Sequence, residues 1–270
     1  MPYRHAHYWL LSLYPLTLLA FWPGYFSRLV EAPAALHFHG LTASLWIALL
    51  AAQSWTIHRR RNSLHKTLGY SSFFLFPLFL TGGLLVIQTM ASATAAGVSP
   101  FYNLFGARLA TFDFVSAVGV GYFYFMALKH RRNVQLHARY MLGTIFFLIG
   151  PILARFLGAI PPISIRGPET FDRFAMAFHL ANLIAFAFVM VLYVRSGRFG
   201  RPMLIAAALI ALQSLLFETL GATTIWQNLF ASIARLPTPA IISFGLAASS
   251  AIIWLGWLSG QRSRPSMAAA

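Results

Sequence analysis

Apolar residues run through this chain in long blocks separated by short polar elbows. A block of about 20 residues, wound as a helix, matches the hydrocarbon core of a bilayer. The pattern predicts eight such spans, at about 8–27, 34–56, 67–89, 106–128, 137–158, 174–195, 202–221 and 238–259. The elbows carry the expected breakers. Pro23-Gly24 closes the first block, and Gly97 to Pro100 separates the third from the fourth. Pro161-Pro162 and Gly167-Pro168 follow the fifth, Gly197 to Pro202 follow the sixth, and Pro237 and Pro239 precede the eighth. Each span is expected to run unbroken, although Gly150-Pro151 lies inside the fifth block. The expected fold is all-α, a polytopic transmembrane helix bundle making one integral membrane domain over residues 1–270.

Two elbows are near copies of each other. His58-Arg59-Arg60-Arg61-Asn62-Ser63-Leu64-His65 is matched by His130-Arg131-Arg132-Asn133-Val134-Gln135-Leu136-His137. His58 and His130 are 72 residues apart, as are His65 and His137. Each elbow joins two apolar blocks, so a two-helix hairpin is used twice, as spans 2–3 and 4–5. Two copies of two spans keep one topology and are expected to relate by an axis along the membrane normal. A four-helix core over 34–158 follows, with peripheral spans at 8–27 and 174–259.

Composition sharpens the picture. Only 9% of the 270 residues are charged, against about 25% in soluble domains. The net charge of +15 would suggest nucleic acid in a soluble protein. Here the basic residues sit in short loops between apolar spans, so they set orientation and meet anionic headgroups instead. With the N-terminus inside, the inner loops hold Arg4, Arg59, Arg60, Arg61, Lys66, Lys129, Arg131, Arg132, Arg139, Arg195, Arg198, Arg201, Arg262 and Arg264. All five acids, Glu31, Asp113, Glu169, Asp172 and Glu218, fall in the outer half. This asymmetry places both termini in the cytoplasm of a bacterial inner membrane. The basic, apolar start reads as an uncleaved first span, since no small-residue cleavage site follows it directly. The absence of cysteine excludes disulfides, thiolate metal sites and covalent c-type haem.

Ionisable groups inside a bilayer are costly and usually face a bundle interior. Four lie at similar depth in the outer half: His39, Asp113, Arg155 and His179, from four different spans. His39, Trp46 and Gln53 are seven apart and share a face. Asp113 and Tyr124 share another. His137 and Arg155 sit at opposite ends of one stripe. Imidazole with carboxylate suits zinc, iron or copper, so His39 and His179, with Asp113, could hold a divalent metal. The plainer alternatives are an Asp113–Arg155 ion pair and histidines that only hydrogen-bond between helices. Spans 7 and 8, including Glu218, look like scaffold.

On the inner side, His65 and His137 open spans 3 and 5. Histidines from two such helices could ligate one haem b or one metal. Alternatively they sit at helix N-termini where, with Arg59, Arg60, Arg61, Arg131, Arg132 and Arg139, they meet lipid phosphate. His58 and His130 lie deeper in the loops and are expected to be solvated.

The run His39-Gly40, Gln53, Arg61-x-x-x-His65-x-x-Leu68-Gly69, then His137-x-Arg139-Tyr140-Met141 and Arg155 resembles a group of uncharacterised bacterial multi-pass inner-membrane proteins. That resemblance covers about 34–158 and implies no particular activity. A looser likeness is to cytochrome-b-type four-helix haem proteins, with His65 and His137 as the inner pair. The outer pair departs from that pattern, because span 4 carries Asp113 and no histidine there. Three function classes remain open. One is a redox protein binding haem or a metal, with a quinone or small molecule as partner. Another is a transporter of a small solute or protons. The third is a non-catalytic accessory protein bound to anionic lipid.

Overall fold

The structure is a computed structural model and describes residues 2–261. It is built of α-helices and short 3-10 turns, with no strand among the described residues. The helices are α1 (Ala6–Phe21), α2 (Ala34–His58), α3 (Asn62–Ala95), α4 (Pro100–Lys129), α5 (Val134–Gly143), α6 (Phe146–Leu157), α7 (Arg173–Ser196), α8 (Arg201–Glu218), α9 (Thr224–Ile233) and α10 (Thr238–Gln261). Seven segments are long and apolar enough to cross a membrane: α2, α3, α4, α5 with α6, α7, α8 and α10. Arg262 and Arg264, counted above among the inner basic residues, lie outside the described residues.

Three expectations need adjustment. First, α1 has 16 residues, about 24 Å of helix against a core of about 30 Å. The chain turns at Trp22 and Pro23, then runs into a 3-10 segment, Phe26–Glu31, so the helix stops six residues before the expected end. Secondly, the fifth block is not one helix. At Thr144 and Ile145 the backbone bonds shorten to i−3, with Thr144 N on Met141 O and Ile145 N on Leu142 O. The Thr144 hydroxyl also donates to Met141 O at 2.8 Å, competing with the regular ladder. Thirdly, the loop before the last span contains α9. Thr223 caps it, and Ile225, Trp226, Leu229, Phe230 and Ile233 give it one apolar side.

Helix ends follow local chemistry. Ser99 caps α4 by accepting from Tyr102 N, with Pro100 at the first helical position. Asn133 caps α5 by accepting from Gln135 N and Leu136 N. Gly97 follows α3 at φ +65°, where a Cβ would be strained.

In packing order, α2 lies on α3 and α3 on α4. The fifth block lies on α4 through α5, and on α7 and α1 through α6. Since α1 also lies on α2, it stands between α2 and α6. The last helix, α10, packs against α3 and α4, while α8 joins α4, α5 and α7. Trp46, Phe76, Phe123 and Tyr124 are fully buried at the centre. Two phenylalanine–glycine locks hold α4 to the fifth block. The ring of Phe123 occupies the place of a side chain at Gly143, and the ring of Phe147 the place of one at Gly119. The two rings meet edge to face at 5.5 Å.

Candidate functional site

At the basic end, His65 and His137 stand in the first turns of α3 and α5. His65 Nδ1 lies 3.3 Å from Gln53 O, a carbonyl of α2. His137 Nδ1 lies 2.9 Å from Ala127 O, a carbonyl of α4. A carbonyl oxygen only accepts, so each Nδ1 carries the hydrogen and each Nε2 keeps its lone pair. Neither Nε2 has a hydrogen-bond partner among the described residues. The two imidazoles are within electrostatic reach of each other. Each is therefore oriented by the end of the preceding helix, which is how ligand histidines are usually fixed.

One heptad further along each helix stands a hydroxyl: Ser72 on α3 and Thr144 after α5. Ser72 Oγ meets the Tyr124 hydroxyl of α4 at 2.6 Å. Thr144 Oγ1 accepts from Trp46 Nε1 of α2 at 3.0 Å. Tyr124 stacks on Phe76 at 4.2 Å and Trp46 stacks on Phe79 at 5.7 Å. Phe79 in turn stacks on His39 at 5.9 Å. An aromatic column thus runs from the hydroxyl level to the outer histidine.

The four outer residues divide. His39 faces Phe79 and Gly83, with its Nδ1 buried and without a partner. His179 is held by α8, its Nε2 2.7 Å from a Glu218 oxygen. Glu218 also pairs with Arg108 of α4 at 3.1 Å, and Arg108 lies over the ring of Phe217. Asp113 and Arg155 are within electrostatic reach but form no direct bridge. Arg155 Nη1 donates to Pro151 O at 3.2 Å, and its guanidinium lies over Phe21 at 4.3 Å. No three His, Asp or Glu side chains form a metal cage among the described residues. The set His39, Asp113 and His179 is therefore not assembled as a metal site. Glu218, read above as scaffold, is the partner His179 takes, and Arg108 joins through it. The available signal was scarcity: Glu218 is one of five acids in 270 residues.

The six loop arginines also divide. Arg59, Arg60, Arg61 and Arg132 are exposed, with the Arg61 guanidinium lying over the Trp55 ring at 4.8 Å. Arg139 is not: it is 6% exposed, and its Nε donates to Ser196 Oγ at 3.2 Å. Its Nη1 donates to Gln135 O at 3.0 Å, and Tyr3 and Phe199 flank the guanidinium. Arg131 donates to Leu128 O and Trp257 O and lies 4.1 Å over the Trp257 ring, tying α10 to α4. These two cations are engaged in protein contacts. His58 and His130 are not free in the loops either. His58 Nδ1 donates to Ser54 O at 2.6 Å. His130 stacks on Tyr140 at 5.8 Å.

No family model, curated protein or solved structure matches the chain.

Proposed function

We propose that this integral membrane protein holds one b-type haem between His65 and His137 and works in electron transfer. The observation that carries this reading is the matched anchoring of the two imidazoles, each with Nδ1–H on a main-chain carbonyl and a free Nε2. The donor set decides between haem and a bare ion. A zinc-type site needs three or four protein ligands. Haem brings nitrogen ligands of its own and would need only two from the protein, which His65 and His137 would supply. Two neutral imidazoles with no third donor suit the second case. When bound, haem supplies one-electron chemistry. The chain's own residues do the rest. Gln53 and Ala127 carbonyls orient the ligands, and the buried Trp46, Phe76 and Tyr124 keep water out of the centre.

In this reading spans 2–3 and 4–5 are copies of one hairpin. Ser72 and Thr144, 72 residues apart, each meet an aromatic side chain of the other hairpin, Tyr124 and Trp46. Basic loops face the cytoplasm of a bacterial inner membrane, with Arg59, Arg60, Arg61 and Arg132 on anionic lipid. Haem-supplemented expression tests the proposal. A Soret band should co-purify with the protein and disappear in His65→Ala and in His137→Ala. Haem-free protein under excess haem counts against it.

A second reading, transport of a small solute or protons, is favoured by one observation. The fifth block breaks at Thr144, in mid-span, as discontinuous transporter helices do.

A further inference from the structure

Asp113 stands 13 residues into α4, about 20 Å along the helix from Pro100. It is half-buried, and among the described residues its carboxylate takes part in no hydrogen bond and no ion pair within 4.0 Å. An acid at such depth normally finds a partner. The nearest cation is Arg155 of α6, which has spent one hydrogen bond, on Pro151 O. Tyr102 of α4 is also within electrostatic reach of that guanidinium, and its hydroxyl has no partner among the described residues. In a medium of low dielectric, a carboxylate and a guanidinium this near gain strongly by closing into a forked pair. They are held apart instead, one on each of two packed helices. The gap calls for a group that accepts from Arg155 and donates to Asp113.

The wall says where such a group comes from. Arg155 is exposed and lies over Phe21 at the end of α1. Leu18, Leu19 and Trp22 around that ring are 45%, 62% and 55% exposed, an apolar edge turned to the acyl chains. A ligand reaching Arg155 past this edge arrives through the lipid.

We propose that Asp113, Arg155 and Tyr102 form a headgroup site for a membrane-borne phenol or quinol. One ring oxygen accepts from Arg155 while a ring hydroxyl donates to Asp113. The ring lies beside Phe21, and the tail leaves along Leu18, Leu19 and Trp22. The site does not depend on the group held by His65 and His137.

The test uses the full chain, purified without haem and placed in lipid nanodiscs. The probe is a benzoquinol with a ten-carbon tail, its binding followed by tryptophan fluorescence. Binding should saturate. Asp113→Asn and Arg155→Ala should each weaken it about tenfold or more, the loss expected for a hydrogen bond to a charged group. Ser71→Ala, whose hydroxyl only bonds Leu68 O, should leave it unchanged. Tyr102→Phe provides a milder variant should either charge removal impair folding, and it should also weaken binding. Non-saturating uptake, identical in wild type and variants, overturns the proposal. So does saturable binding of a free amino acid with no binding of the quinol. Because the preparation contains no haem, failure here leaves the histidine reading standing.

Discussion

The indole N–H of Trp46 is donated to the hydroxyl of Thr144 at 3.0 Å, across 98 residues of sequence. Both groups are fully buried. The bond falls where the fifth block breaks, so α2 takes up the hydroxyl at the point where the helical ladder tightens. Thr144→Val keeps the shape and removes the acceptor. It should cost about 1 kcal/mol, since hydrogen bonds between membrane helices are modest. A double-mutant cycle with Trp46→Phe should show coupling. Additive losses would mean that the two residues act separately.

The locks between α4 and the fifth block make a second prediction. Gly143 has no room for a side chain because Phe123 fills the place. Gly143→Leu should therefore destabilise by about 1–3 kcal/mol or more. Phe123→Ala in the same chain should restore part of the loss. Thermal midpoints in detergent measure both, and no recovery in the pair would show that the contact is not the cause.

Two arginines from the same basic elbows should behave differently. Arg139 is spent on Ser196 and Gln135, so Arg139→Ala should destabilise by about 2 kcal/mol. Arg60 is exposed, and Arg60→Ala should change stability by about 0.5 kcal/mol or less. Its effect should appear instead in retention of anionic lipid, measured by mass spectrometry of the purified protein.

His130 gives the chain a pH dependence outside the spans. Burial, then the charges of Lys129 and Arg201, push its imidazole below the ordinary value of 6.5. The folded state therefore binds this proton more weakly than the unfolded chain. The stability it contributes is full above about pH 6.5 and fades as pH falls through the lowered value. His130→Gln should lose less stability than wild type between pH 7.5 and 5.5. Equal losses in the two proteins would show that another group sets the slope.

Seven of the eight expected spans were legible because long apolar blocks and Pro/Gly elbows are properties of composition, while cap chemistry at Ser99-Pro100 starts α4 earlier than the expected 106. The break at Thr144 was not legible. Its position depends on a hydroxyl meeting an indole from another helix, and the local breakers, Gly143 and Gly150-Pro151, do not fix it. The burial of Arg139 was hidden for a similar reason: an Arg in a basic elbow looks solvated until Ser196 and Phe199 fold over it. Periodicity correctly put His39 and Trp46 on one side of α2 but could not choose a partner for His179. That choice depends on how α7 is rotated against α8, and rotation is set by packing across the whole bundle.

The central claim is that His65 and His137 form one two-ligand site. Electron paramagnetic resonance of the oxidised, haem-supplemented protein tests it most directly, at a measured haem content per chain. The account predicts one haem per chain with the low-spin signal of two imidazole ligands, lost when either His65 or His137 becomes alanine. A protein that binds no haem, or that keeps the signal in both variants, contradicts it.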